Sequence, residues 1–241
     1  MFERYFFEVG KRLRQLEEEQ GDQINKAASE CARCIKEGGI LHLFGSGHSY
    51  LIAQEGYYRA GGLAPVRLIV AEDLQLSKGG HRCSIYERQE GYAASFLSDQ
   101  DIRPGEVLFI FSTSGRNPVS VDVARFGKKQ GAFVIGVTAK DYSNLPSRHS
   151  SGALLMESVD LVIDNCIPMG DALLSMEETA VPFAPGSTVL GTALWNGILA
   201  KTVRLLVEEG IEPPVFRSGN VEGADLYNKK LMERYQDRIR F

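Results

Sequence analysis

The sequence has no excess of basic residues. Its 27 Lys and Arg stand against 31 Asp and Glu, a formal net charge of −4, which argues against a nucleic-acid backbone as the partner. No stretch approaches the ~18 consecutive apolar residues that a membrane span needs. The opening residues Met1-Phe2-Glu3-Arg4-Tyr5 lack the basic-then-apolar order of a secretory leader, so the expected location is the cytoplasm. Cysteine is scarce, with four in the chain. Cys31 and Cys34 are closely spaced, but they lie in a helical pattern without a second pair or a histidine cluster downstream. Buried thiols are therefore expected rather than a zinc or redox site. Repeats, low-complexity tracts and linkers are also missing, and Pro213-Pro214 only separates two helices.

What is present is the composition of an ordinary soluble globule, 44% hydrophobic and 24% charged, in a chain long enough to bury a substantial core. One domain is expected over residues 1–241, with helices in 1–38, a core in 39–210 and a helical extension in 211–241. Phe6, Val9, Leu13 and Leu16 repeat at helical spacing, as do Ile24, Ala27, Ala28, Cys31 and Ile35, and Gly21-Asp22 is expected to break the two helices apart. From Gly39 onward strands and helices alternate. Short apolar runs at 40–44, 66–70, 107–111, 133–137 and 161–163 read as strands buried on both faces, with helices at 50–59, 86–97 and 119–130 between them. Further helices are expected at 187–209 and 223–238. The pattern predicts an α/β fold with a five-stranded parallel sheet, doubly wound and flavodoxin-like.

Two strands run into turns rich in hydroxyls and glycine. One continues as Gly45-Ser46-Gly47-His48-Ser49, the other as Ser112-Thr113-Ser114-Gly115-Arg116-Asn117-Pro118, and each opens a helix. Unsatisfied N–H groups and the macrodipole favour an anion at such a helix start. One serine there would be an N-cap, since capping is what hydroxyl residues usually do at helix starts. Three consecutive hydroxyls matched by a second turn point instead to one phosphorylated ligand, with Ser49, Ser112, Thr113, Ser114 and Asn117 as neutral donors. Dinucleotide binding fits less well, because the third glycine of that fingerprint would fall at the bulky Tyr50.

The stretch EVLFIFSTSGRNPVSVDVARFGKKQGAFVIGVTAKDY resembles the corresponding part of bacterial phosphoheptose isomerases, and SGRNP is similar to the SGRTP turn of N-acetylmuramic acid 6-phosphate etherases. GSGHSYLIAQEGYYRAGGLAPV resembles the turn and helix of the isomerase half of glucosamine-6-phosphate synthase. On these motifs, covering about 39–209, the chain is identified as a member of the sugar isomerase (SIS) domain family, in a branch often labelled as phosphoheptose isomerases. The resemblance implies Ser49, Ser112, Thr113, Ser114 and Asn117 at a phosphate, with Ser46 and His48 nearer the sugar. Gly186-Ser187-Thr188 resembles the etherases' GST, which implies Ser187 and Thr188 as a third contact.

The departures bear on chemistry. Phosphoheptose isomerases have a His six residues and a Glu ten residues after the first turn's last Ser, where this chain has Glu55 and Arg59. Their late-helix Gln and His have no clear counterpart, so the resemblance implies neither zinc nor another cofactor here. Glu55 is the candidate base, because six helical residues rise ~9 Å, about the length of a hexose phosphate. It could equally pair with Arg59 at i,i+4. His48 could bond a sugar hydroxyl, assist ring opening or merely fix its turn. His81 and His149 lie on polar loop segments, and His81 is the one carried forward as a catalytic candidate, since SIS sites commonly borrow residues from a neighbouring subunit. His42, inside a strand, reads as structural. Glu72-Asp73 and Glu177-Glu178 might reach a ligand but read by default as solvated acids.

The expected function is an aldose–ketose sugar-phosphate isomerase, with a non-catalytic sugar-phosphate sensor or an etherase-like lyase as alternatives. A homodimer or homotetramer is expected, formed through the exposed apolar faces of the terminal helices.

Overall fold

The computed structural model describes residues 1–241. Five parallel strands, β1 (Leu41–Gly45), β2 (Val66–Leu68), β3 (Val107–Phe111), β4 (Phe133–Thr138) and β5 (Leu161–Asp164), form one sheet in the order β2-β1-β3-β4-β5. This is the doubly wound, flavodoxin-like order expected from the alternation of elements. Every residue of β1 and β3 is buried, as befits strands covered on both faces. Gly45 lies opposite Phe111, so the two strands deliver their turns to the same edge side by side.

Seven α-helices accompany the sheet: α1 (Phe2–Lys36), α2 (His48–Glu55), α3 (Gly80–Tyr86), α4 (Ala94–Leu97), α5 (Pro118–Lys129), α6 (Ser187–Glu208) and α7 (Ala224–Glu233). On one face, Ala27, Ala28 and Cys31 of α1, Ile52 of α2 and Leu194, Trp195 and Ile198 of α6 form a core with Leu43, Phe109 and Ile135 of the sheet. On the other, Leu97 of α4 and Val119, Val123 and Ala124 of α5 meet Phe44, Leu108 and Ile110. Each large apolar side chain so buried contributes about 1.5–3 kcal/mol. The four cysteines are free and buried, and burial pushes the Cys34 thiol up to about 12.

Two expected elements take other forms. The break at Gly21-Asp22 does not occur, and α1 runs unbroken for 35 residues. A mid-helix glycine costs only about 1 kcal/mol relative to alanine, and packing along α6 outweighs it. The single helix expected at 86–97 is instead α3, a run of turns and α4. No helix is long and apolar enough to cross a membrane.

Candidate functional site

The strand order reverses between β1 and β3, and the crevice outside the carboxyl ends of such a pair is where doubly wound sheets place ligands. A cavity of about 420 Å³ lies there. Its floor is the two hydroxyl-rich turns. In the first, Gly45 is obligatory: a Cβ on it would stand 2.3 Å from the carbonyl oxygen of Ser49, because the chain doubles back at once into α2. In the second, Gly115 has φ +59 and would press a Cβ against Thr138 Oγ1 at 2.7 Å. The tight turns thus require glycine and present the flanking hydroxyls to the cavity.

Ser46, His48, Ser49, Ser112, Thr113, Ser114, Asn117 and Ser187 all line this cavity. The structure thereby brings together eight of the residues singled out in the sequence. Their states differ. The hydroxyls of Ser49 and Ser114 have no partner within the chain, whereas Ser112 Oγ accepts the N–H of Gly115 at 3.3 Å and Thr113 Oγ1 accepts from Asn165 Nδ2 at 3.3 Å. Neither α2 nor α5 is capped by a side chain, so both helix starts face the cavity without an internal anion. The start of α6 is different. Asp171 accepts the N–H groups of Gly186 and Ser187, at 3.1 and 2.9 Å, and the Ser187 hydroxyl at 2.6 Å. That helix end is already satisfied, with Asp171 held at φ +51, a left-handed conformation that Asp tolerates better than most residues.

Three expected residues lie elsewhere. Glu55, the expected base, ends α2 outside the cavity and forms an ion pair with Arg59, the i,i+4 pairing that was its alternative. Its position follows from geometry: six helical residues carry it ~9 Å beyond Ser49, along an axis that points away from the cavity floor. His81 is exposed on the first turn of α3 and does not line the cavity, although its neighbour Gly80 does. Thr188 is half-buried one residue into α6 and is likewise absent from the lining. The edge acids find partners: Glu72 pairs with Lys78, and Asp73 with Arg82.

The residue that sequence reasoning missed is Glu87, immediately after α3. It lines the cavity, and its Oε2 accepts the Ser46 hydroxyl at 3.0 Å. Burial raises its pKa above the ordinary carboxylate range, against the opposing influence of the Ser46 hydrogen bond and of Arg88 and Arg148. A helix assigned across 86–97 hid it as one more charged residue on a helix surface. The available signal was Gly79-Gly80, which starts α3 and turns it toward the cavity.

Residues 4–139 match the SIS domain family. The chain belongs to that family. It is 49% identical over 240 residues to a UPF0309 protein of Geobacillus thermodenitrificans, across 99% of this chain and 96% of that one. A UPF0309 protein of Halalkalibacterium halodurans is 50% identical across the same shares. Among solved structures, a phosphoheptose isomerase, GmhA, from Neisseria gonorrhoeae superposes with a TM-score of 0.54 at 16% identity, over 83% of this chain and 94% of that one. A phosphoheptose isomerase from Francisella tularensis gives 0.51 at 14% identity, over 79% and 92%. At such identities the likeness to the solved structures is one of fold. The SIS match takes in most of α1, which lies outside the 39–209 stretch that carries the motifs.

Proposed function

We propose that this SIS domain binds a sugar phosphate in the cavity at the β1/β3 edge and interconverts its aldose and ketose forms. Ser49 and Ser114 offer unpaired hydroxyls and the starts of α2 and α5 lack internal anions, a combination suited to a phosphate held by neutral donors. The observation that carries the enzymatic reading is Glu87, a carboxylate whose burial raises its pKa, facing the same cavity and held by Ser46. A sensor would use a carboxylate only to accept sugar hydroxyls, a role that needs no raised pKa, whereas proton transfer is served by one. In the proposed reaction Glu87 removes the proton at C2 of the open-chain aldose, the C1–C2 enediol forms as the carbonyl oxygen takes up a proton from water, and Glu87 returns its proton to C1 while the C2 hydroxyl gives its own proton to water and becomes the ketone. His48 is exposed and lines the cavity, and in this reading it serves ring opening at the substrate's hydroxyls.

The test is exchange of the C2 proton of aldose 5- and 6-phosphates in heavy water, followed by NMR with wild type and Glu87→Gln. Exchange that falls at least ~10²-fold in the mutant, with ligand affinity kept, is the expected result. Binding of several sugar phosphates without exchange in the wild type would replace this reading by the sensor.

A further inference from the structure

A second cavity, of about 410 Å³, opens where the segment after α2 meets the carboxyl-terminal extension. It shares no lining residue with the cavity at the β1/β3 edge. The two segments that build it are zipped together. The Gly61 N–H donates to the Phe216 carbonyl at 2.9 Å, the Phe216 N–H to the Gly62 carbonyl at 2.9 Å and the Ala64 N–H to the Pro214 carbonyl at 2.8 Å. Its volume falls in the range of roughly 300–1,000 Å³ that small-molecule sites occupy. The extension lies beyond residues 4–139 that match the SIS family, so this cavity is an addition to the matched core.

Three kinds of group line it. Tyr58 supplies an aromatic ring, 51% exposed and set edge-on against Phe216 with centroids 5.3 Å apart. Its backbone is held at φ +41, a conformation that bulky side chains rarely adopt, and such strain gathers at ligand clamps and active sites. Arg217 and Lys229 supply positive charge, and neither stands in an ion pair, whereas Arg59, the other cation of the lining, is neutralised by Glu55. The Arg217 guanidinium lies 4.0 Å from the centre of the Tyr227 ring, and its backbone N–H and carbonyl are both bound by the Asn228 amide at 2.9 Å. The residue is thus fixed in place with its charge unspent. Asp225 supplies an acceptor one helical turn before Lys229 on α7. No side chain caps the start of α7, and the N–H groups of Asp225 and Leu226 donate to nothing within the chain.

We propose that this second cavity binds a nucleotide, its base against Tyr58, its ribose hydroxyls at Asp225 and its phosphate at Arg217 and Lys229. Each part of the ligand answers one kind of group in the lining. An exposed aromatic ring stacks on a base, a carboxylate accepts hydroxyls, and an unpaired guanidinium and ammonium receive phosphate oxygens. Inorganic phosphate alone would leave the ring and the carboxylate unused. The inference stands apart from the sugar-phosphate reading, since α2 begins at one cavity and its end pairs with Arg59 of the other.

The experiment is calorimetry at low salt with AMP, GMP, CMP and UMP, and with adenosine and inorganic phosphate as the separated parts. At least one nucleotide is expected to bind one per chain, about tenfold or more tighter than either part. Tyr58→Gly removes the ring while glycine accepts φ +41, and Lys229→Ala removes an exposed side chain that makes no hydrogen bond, so both variants keep the fold. Each should weaken nucleotide binding about tenfold, the worth of one base–aromatic stack or one charge-assisted contact. No binding by any nucleotide would overturn the inference, and so would inorganic phosphate binding as tightly as the nucleotides. Nucleotide binding unchanged in both variants would place the ligand elsewhere and overturn it as well. Glucose 6-phosphate, titrated separately, tests the proposed function: its failure to bind would remove that reading and leave this one.

Discussion

The Ser46 hydroxyl donates to Glu87 Oε2 across 3.0 Å, joining the turn after β1 to the end of α3. Burial pushes the pKa of this carboxylate up, and the Ser46 bond, a donor to the charged form, opposes that push together with Arg88, Arg148 and Asn117. Ser46→Ala should therefore raise the Glu87 pKa further. The acidic limb of the pH profile for C2 exchange is expected to move to higher pH, and an unmoved limb would show that Ser46 does not tune Glu87.

Glu87 also burdens the fold. Its folded-state pKa lies above that of an unfolded chain, so the folded state loses stability as pH rises through the folded value and none is lost below the ordinary carboxylate range. Glu87→Gln is expected to melt higher than wild type at pH 8, with the gap closing as pH falls toward 4. Thermal denaturation across that range checks the sign.

The opposite sign holds at the other edge of the sheet. Glu106 accepts the Ile40 N–H at 3.0 Å, the Arg103 N–H at 2.9 Å and His42 Nε2 at 2.8 Å, and it pairs with Arg238. Burial alone would raise its pKa, but His42, Arg238 and the Arg103 N–H outweigh burial and hold it down to about 2. Its stabilisation is thus present above the unfolded carboxylate range and disappears as pH falls through the folded value. Glu106→Gln should cost about 2 kcal/mol or more at pH 7, since Arg238 is left with Asp101 as its one carboxylate partner and the neutral His42 loses its charged hydrogen-bond partner. Denaturant melts at pH 7 and pH 3 should show that cost shrinking in acid.

Ser114→Ala removes an unpaired hydroxyl from the cavity and disturbs nothing else. It should weaken sugar-phosphate binding by ~1–2 kcal/mol, the worth of one charge-assisted hydrogen bond, with the melting temperature unchanged. Calorimetry decides it, and unchanged affinity would take Ser114 out of the phosphate cradle.

Gly45→Ala is the sterner test of the floor. Its Cβ would meet the Ser49 carbonyl oxygen, a backbone atom, at 2.3 Å, so the first turn of α2 must move. Binding should be lost while the sheet persists, a split that ligand titration and far-UV circular dichroism resolve.

The strands were legible because burial on both faces leaves a plain apolar run: β3 occupies 107–111 as read, and the remaining strands differ by one or two residues at their ends. The turns were legible because tight geometry admits few residue types. Two things were not. Gly21-Asp22 looks like a break when only local preference is weighed, and the decisive term is the side of α1 buried against α6, which no window of sequence contains. Glu87 was hidden for a related reason, since its role depends on α3 turning Tyr86 and its successor inward, and helical periodicity alone places no residue beside Ser46, 41 positions away. Asp171 is the same case: nothing in its neighbourhood announces that it will occupy the start of a helix 16 residues later.

The long first helix has a reach that its packing against α6 does not exhaust. Tyr5 donates its hydroxyl to the Pro185 carbonyl at 2.8 Å, Arg12 donates to the Cys166 carbonyl at 3.1 Å, and Gln20 accepts the Asp164 N–H at 3.0 Å. These bonds grip both ends of the loop that carries Asp171. One wall of the cavity is therefore fastened by residues of the first helix, so a chain shortened by its first four helical turns would keep both hydroxyl turns and Glu87 but hold its third wall at the Gln20 bond alone.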